Sequence, residues 1–439
     1  MARRRINAIE FNSLVQTLAR PFQAFLRLES RSGILVCVSA ACAVAWMNSP
    51  WAHAYTALWE TPVALRIGSL HTPETLLHLI NDGLMTFFFL VVGLEIRREL
   101  ADGELSDAKR AMLPVLAALG GMIVPASLYL LLTRGTGASS GWGIPMATDI
   151  AFSLGVLTLL GDRVPLQLKV FLTALAIVDD IGAVLVIALF YATGLSWIHL
   201  GAAGLFLAAM ALLARFRVRS LVPFAICGLG LWASLIDSGI HPSVAGILLA
   251  LMLPAAPRNG GRAPASPENG GASPIRSAAQ RVEQALHPWV TYGIVPLFAL
   301  ANAGIAFDGG IGPLAGSRVA LSVLLALAAG KQAGIFLFAR VAEKARLATL
   351  PATLTWRHIY GAAWLGGIGF TMSIFIADLA FGLGPRAEMA RGGIYGASLL
   401  SAVGGLLVLL RARPVPLREP GGSEPAAAPD HPPEEDHDA

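Results

Sequence analysis

Apolar stretches of roughly 17 to 25 residues, the length a helix needs to cross the hydrocarbon of a bilayer, recur along most of this chain with short polar connections between them. Twelve are read, near 33-49, 76-97, 112-133, 142-161, 165-192, 197-214, 221-237, 241-254, 288-307, 319-341, 357-382 and 391-411. The stretch at 241-254 is short. Two segments break the rhythm. Residues 255-280 (PAAPRNGGRAPASPENGGASPIRSAA) are rich in Pro, Gly and Asn and read as a flexible cytoplasmic linker. Residues 413-439 are Pro-rich, end in PDHPPEEDHDA, and read as a disordered cytoplasmic tail. The expected organisation is a cytoplasmic N-terminal segment (1-32), a transmembrane domain (33-412) interrupted by the linker, and the tail. Arg3, Arg4 and Arg5 precede the first stretch and Ala52-His53-Ala54 follow it, as at a signal-peptide cleavage site. The long charged lead-in and the spanning length favour an uncleaved first helix.

Composition turns this pattern into a fold class. The 439 residues are 55% hydrophobic and 14% charged, against about a quarter charged in soluble chains. Lipid must therefore solvate much of the surface, and the chain is expected to be an all-α polytopic membrane protein. The charge distribution orients it. With the N-terminus in the cytoplasm, 26 of the 32 Lys and Arg residues fall on the cytoplasmic side, five (Arg66, Arg134, Arg318, Arg386, Arg391) fall opposite, and Lys331 lies inside a span. That asymmetry supports an even number of crossings with both termini cytoplasmic. The net charge of +4 is then explained by topology, and nucleic acid is not an expected partner. Cys37, Cys42 and Cys227 are scattered in apolar runs, where cysteine acts as a small hydrophobe.

Ionisable residues inside a span cost a few kcal/mol on insertion scales and mark function by default. They are Asp82, Glu95, Asp149, Asp179, Asp180, Lys331 and, near a span end, Asp378. Asp179 and Asp180 lie deep in TALAIVDDIGAVLVIALF. Neighbours on a helix point about 100° apart, so one carboxylate can face a cavity while the other meets another helix. Two carboxylates this close in a low dielectric resist double ionisation. Such a pair can hold protons near neutral pH and surrender them to a hard cation, which prefers oxygen ligands. The alternative is a structural pair satisfied by Lys331, although burying two acids for structure alone is rarely favourable. Lys331, in LALAAGKQAGIFLF, is the lone cation within the spans; it can neutralise one aspartate, the alternative being a side chain that snorkels to the interface.

Asp149 lies in GWGIPMATDIAFSLG, where Gly143, Pro145 and the Thr148-Asp149 pair interrupt a span. Proline removes a donor and clashes with the preceding turn, which predicts a broken helix. GAAWLGGIGFTMSIF, with Gly366, Gly367 and Gly369, is a second interrupted span. Broken backbone at membrane depth is tolerated only beside protein or a water-filled cavity, and two such segments at matching places in two halves point to a transporter site.

The segments VGLEIRREL (91-99), ATDIAFSLG (147-155), FLTALAIVDDIGAVLVIALF (171-190), GIHPSVAG (239-246), LHPWVTYGIVPLFALANAG (286-304), GK (330-331) and GIGFTMSIFIA (367-377) resemble the NhaA-type sodium/proton antiporters, in order, over roughly residues 30-412. The resemblance implies inverted repeats formed by spans three to five and ten to twelve, with spans four and eleven crossing as discontinuous helices. It implies an electrogenic, pH-regulated exporter of Na⁺ or Li⁺ in exchange for protons, working by alternating access, with no cofactor and no enzymatic activity. It places the protein in a bacterial inner membrane among lipid and allows a homodimer. By the same resemblance Asp180 and Asp179 are the cation and proton site, Asp149 and Thr148 offset half-helix dipoles beside it, and Lys331 pairs with Asp179. Asp82 belongs near the cytoplasmic funnel or to helix packing, and Glu95, Arg98, Glu99, His241, Glu283 and His287 belong to the pH response. For His287, a helix-entry hydrogen bond before Pro288 is the plainer role. The sequence departs from the family in three places: Gln284 stands where a titratable histidine is usual, the 255-280 linker is longer, and Asp378 adds an acid, read as solvated at the outer end of its span.

The closest rival reading is a proton-coupled carrier of another small solute. A channel needs a continuous polar pore, whereas these polar groups cluster at one depth. An intramembrane aspartyl protease needs aspartates facing each other across a substrate bond, not neighbours on one helix.

Overall fold

The computed structural model describes residues 32–67, 70–192, 194–218, 220–254, 277–307, 310, 312–382 and 384–412. The N-terminal segment to residue 31, most of the linker and the tail from 413 lie outside the described residues.

Helices account for nearly all of it, and their bounds follow the apolar stretches. Helix α1 (Ser32–Met47) turns by 118° into α2 (Ala52–Trp59). The chain then forms a short hairpin, β1 (Pro62–Ile67) antiparallel to β2 (Leu70–Thr75), with Pro62 opposite Thr75 and Ile67 opposite Leu70. Helices α3 (Leu76–Ala101) and α4 (Ala108–Leu132) follow, then a 3₁₀ stretch (Ser139–Met146) leading to α5 (Ile150–Thr158). Next come α6 (Leu166–Phe190), α7 (Trp197–Arg215), α8 (Val222–Ile236) and α9 (Val244–Met252). Helix α10 (Ala278–Trp289) runs through a π turn (Val290–Ile294) into α11 (Val295–Asn302). The chain ends on α12 (Arg318–Lys344), α13 (Trp356–Gly366), α14 (Phe370–Phe381) and α15 (Pro385–Leu410).

Among the described residues, six helices are long and apolar enough to cross a membrane, or eight when the bent pairs α1–α2 and α13–α14 each count as one. Lipid-facing surface is plain on α7, whose span is only 11% buried and which exposes Ile198 and Leu205. Surfaces this apolar are stable in hydrocarbon, not in water.

Inside, small residues let helices approach closely, the usual solution where lipid removes the hydrophobic drive between helices. The tightest contact joins α4 to α12. A Cβ at Gly334 would lie 2.1 Å from the Gly120 carbonyl oxygen, and one at Gly120 would lie 2.3 Å from that of Gly334. Gly334→Val is therefore expected to destabilise the protein by about 1–3 kcal/mol through overpacking. Thermal unfolding in detergent checks this; an unchanged midpoint would show that the two backbones separate freely.

Three sequence expectations need correction. Helix α10 starts at Ala278, inside the stretch assigned to the linker, because Ser277 and Gln280 form a reciprocal capping box. Asp378 is not a free solvated acid: it is largely buried and pairs with Arg391, with Nη2 at 2.6 Å from Oδ1. Arg391 is accordingly not an outer loop charge but a second buried cation on α15, so Lys331 is not alone.

Candidate ion-binding site

The two interrupted spans cross each other at their breaks. The amide of Asp149, in the extended link 147–149, donates to the carbonyl of Ile368 in the link between α13 and α14 (2.7 Å). Around this contact the two segments exchange hydrogen bonds at their half-helix ends. Hydroxyls of Thr148 and Ser153 reach the carbonyls of Gly366 and Leu365 at the end of α13 (both 2.9 Å), and Ser373 of α14 reaches that of Ile144 (2.8 Å). Helix α14 begins at Gly369, which has no side chain to cap it; its first amides donate to Ser398 Oγ (from Phe370, 3.3 Å) and to Asp149 Oδ2 (from Thr371, 3.1 Å). Asp149 also N-caps its own helix, accepting from the Phe152 amide at 3.0 Å. One carboxylate thus serves two helix N-termini, where partial positive charge collects.

Helix α6 runs past the crossing and presents the aspartate pair to two different surroundings. Asp179 is fully buried. Its Oδ2 accepts from Lys331 Nζ at 2.8 Å and from the Thr148 hydroxyl at 2.6 Å. Lys331 ends a π turn in α12 (Ala326–Lys331) and also donates to the Met146 carbonyl. Such π turns recur at functional sites, and here one aims an ammonium at a broken helix. Asp180, a helical step away, instead lines a cavity of about 60 Å³ together with Glu95, Thr148, Asp149, His287 and Thr371. Its Oδ1 is buried and accepts no hydrogen bond among the described residues. Desolvation and the neighbouring acids disfavour a lone charge there, so Asp180 gains from a proton or a cation.

The remaining candidates separate into two groups. Glu95 meets His287 (Oε1 to Nε2, 3.5 Å), while Arg98 pairs with Glu283 and lies 3.9 Å from Glu99. This group extends from the Asp180 cavity toward the end of α3 at Ala101. Asp82 and His241 are elsewhere. His241 Nε2 sits 3.2 Å from Asp82 Oδ1, and both line a cavity of about 370 Å³ with Asn81, Tyr191, Phe375 and Asp378. Asp82 and Glu95 are thirteen residues apart on α3, about 20 Å at helical rise. Asp82 therefore does not share an end with the Glu95 cluster, and His241, which meets Asp82, lies apart from the other pH-response candidates.

Sequence reasoning did not single out Thr371, Ser153 or Ser373. The signal was available: Thr371 and Ser373 directly follow the Gly366–Gly369 break, as Thr148 precedes α5.

A family model described as "Na+/H+ antiporter 1" matches residues 23–409. The Na(+)/H(+) antiporter NhaA 2 of Sorangium cellulosum is 45% identical over 418 residues, covering 89% of each chain. The Na(+)/H(+) antiporter NhaA of Koribacter versatilis is 45% identical over 444 residues, covering 94% of this chain and 95% of that protein. That of Anaeromyxobacter sp. is 44% identical over 432 residues, covering 93% and 94%. A multi-pass helical chain, two broken helices crossing beside buried aspartates and matches of this extent have one meaning: the protein belongs to the Na⁺/H⁺ antiporter 1 family, whose members are transporters without a cofactor and not enzymes.

Proposed function

We propose that Na⁺, or Li⁺, competes with protons for Asp180, and that alternating access of this one site couples the export of the cation to proton entry. The observation that carries the reading is the asymmetry of the pair. Each aspartate keeps one oxygen without a hydrogen bond among the described residues, but Asp179 is neutralised by Lys331 at 2.8 Å, whereas Asp180 lines the cavity and makes no ion pair among those residues. A loaded carboxylate, neutral with H⁺ or Na⁺, can pass between the two faces, and an empty one cannot; coupling needs no second site. Exchange is electrogenic if Lys331 carries a second proton when its contact with Asp179 breaks. Asp149 and Thr148 hold the crossing beside the ion. The test is collapse of an imposed pH gradient by Na⁺ or Li⁺ in proteoliposomes, with and without a potassium–valinomycin clamp. An exchange rate indifferent to the clamp would remove electrogenicity and leave the antiporter.

A carrier of an organic solute is less well supported. A cavity of about 60 Å³ suits a bare ion, while pockets for small organic ligands run to about 300–1,000 Å³.

We assign pH regulation to the cluster of Glu95, Arg98, Glu99, Glu283 and His287. Burial raises the affinity of Glu283 for its proton; Arg98 and then His287 oppose this, and Glu99 adds to it. The folded chain holds this proton more tightly than an unfolded chain, so ionising Glu283 costs stability as pH rises through the raised value. Arg98→Ala removes the main opposing charge. Activation of exchange is expected to move to higher pH, read from a pH profile at fixed Na⁺; an unmoved or acid-shifted profile would exclude Glu283 from the response.

In this reading the protein sits in a bacterial inner membrane with both termini cytoplasmic, as the Lys and Arg distribution supports. The homodimer follows from the family resemblance, and cross-linking in native membranes tests it.

A further inference from the structure

We propose that Thr371 is a ligand for the transported cation, its hydroxyl locked by Asp149 so that only oxygen lone pairs face the cavity. A threonine hydroxyl has one proton and ordinarily rotates to suit its neighbours. At Thr371 that freedom is gone. Its hydroxyl donates to Asp149 Oδ2 at 2.6 Å, and its amide donates to the same oxygen at 3.1 Å. The first distance lies in the charge-assisted range for O–H···O⁻ bonds. The carboxylate cannot swing away, because its other oxygen caps α5 through the Phe152 amide. With the proton committed, the lone pairs of Thr371 Oγ1 remain, and the residue lines the cavity alongside Asp180.

Thr148 behaves differently. Its hydroxyl has two acceptors in reach, Asp179 Oδ2 at 2.6 Å and the Gly366 carbonyl at 2.9 Å, and one proton to give. Its polarity therefore follows the protonation of Asp179. Thr371 alone of the two offers a constant neutral oxygen. A hard monovalent cation gains from such a ligand. A proton gains less: it makes the Asp180 carboxyl a neutral donor, and a hydrogen bond between neutral groups is weaker than a contact with a full charge. Thr371 thus biases the competition at Asp180 toward the cation, while Asp149 spends its charge on two helix ends.

This inference rests on Asp180 being the ion site, and the experiment separates the two. Apparent KM for Na⁺ and for Li⁺ is measured in proteoliposomes for Thr371→Val, Thr371→Ala, Thr371→Ser and Asp180→Asn, with cation-dependent thermal stabilisation of each purified protein as a second readout. Both hydroxyl-free variants are expected to raise the KM for Na⁺ about tenfold, the loss of roughly one neutral oxygen contact, with maximal rate largely kept and cation-dependent stabilisation weakened. Thr371→Ser is expected to restore both. Wild-type KM in the valine and alanine variants overturns the proposal, as does a serine variant as impaired as valine, which would assign the effect to the methyl group. Failure of both hydroxyl-free variants to fold also overturns it, leaving Thr371 a structural residue. Normal exchange by Asp180→Asn removes the site itself, whereas an inactive Asp180→Asn beside unaffected Thr371 variants removes the present inference alone.

Discussion

Asp180→Asn is expected to lower Na⁺-driven collapse of a pH gradient by a hundredfold or more while leaving the protein folded. The amide has the shape of the acid but can be neutralised neither by a proton nor by a cation, so the alternation that drives exchange has nothing to act on. Loss of a buried charge's partner is worth about 3–5 kcal/mol, and each 1.4 kcal/mol is a factor of ten. Stability is expected to move the other way. Asp180 lines the same small cavity as Asp149 and Glu95 and keeps an unpartnered oxygen, so removing its charge relieves desolvation and repulsion. An inactive protein with an equal or higher unfolding midpoint is the predicted signature. Normal exchange by Asp180→Asn would falsify the assignment of the ion site.

The second large effect concerns stability. Lys331→Ala strands the Asp179 carboxylate and the Met146 carbonyl in a dry interior, because Lys331 bonds both and is itself fully buried. A broken buried pair costs about 3–5 kcal/mol, which lowers the apparent unfolding midpoint by roughly 5 °C or more for a chain of this size. Adding Asp179→Asn removes the stranded charge and is expected to recover most of that loss, a non-additivity that a double-mutant cycle measures directly. A cycle that closes additively would show that the two charges do not depend on each other. Transport supplies the other half of the test. If Lys331 carries a proton, the alanine variant exchanges without response to voltage; voltage-dependent exchange in that variant makes Lys331 purely structural.

Much of this architecture was legible because lipid is the solvent. Spanning length and apolarity locate helices with little help from tertiary contacts, and α3, α4, α6, α12 and α15 begin and end within several residues of the apolar stretches. Both breaks were legible from Gly366, Gly367 and Gly369 and from Gly143 and Pro145, clusters of residues that weaken a helix, whereas the isolated prolines of α4, Pro114 and Pro125, do not break it. The 100° helical step put Asp179 and Asp180 in different surroundings, and the family resemblance implied which of them pairs with Lys331. What local sequence could not supply was partnership. Ser153 and Ser373 look like ordinary small polar residues, and their acceptors lie 212 and 229 residues away. Asp378 and Arg391 sit on consecutive helices near a turn, a place where charges are usually wet; only the packing of the helices shows that they pair with each other, largely shielded, at the edge of a cavity. The separation of Asp82 from Glu95 was legible from helical rise alone, whereas the pairing of His241 with Asp82 depends on a helix more than 150 residues further along the chain. The hairpin of residues 62–75 gave little warning, since Pro62 and Pro73 stand in it and proline ordinarily argues against a strand.

The crossing of the two broken helices also sets the order in which the molecule can be made. Ribosomal synthesis delivers residues 144–158 more than two hundred residues before residues 365–373, yet each group caps the other. Until the later segment arrives, the earlier one carries bare carbonyls and a lone aspartate into the bilayer, where an unsatisfied polar group costs several kcal/mol. The nascent first half therefore has reason to linger at the insertion machinery or in water-filled defects, and a chain truncated before residue 365 lacks what it needs to seal. The site beside Asp180 is complete only when the helices that carry Ile368, Thr371 and Ser398 have docked.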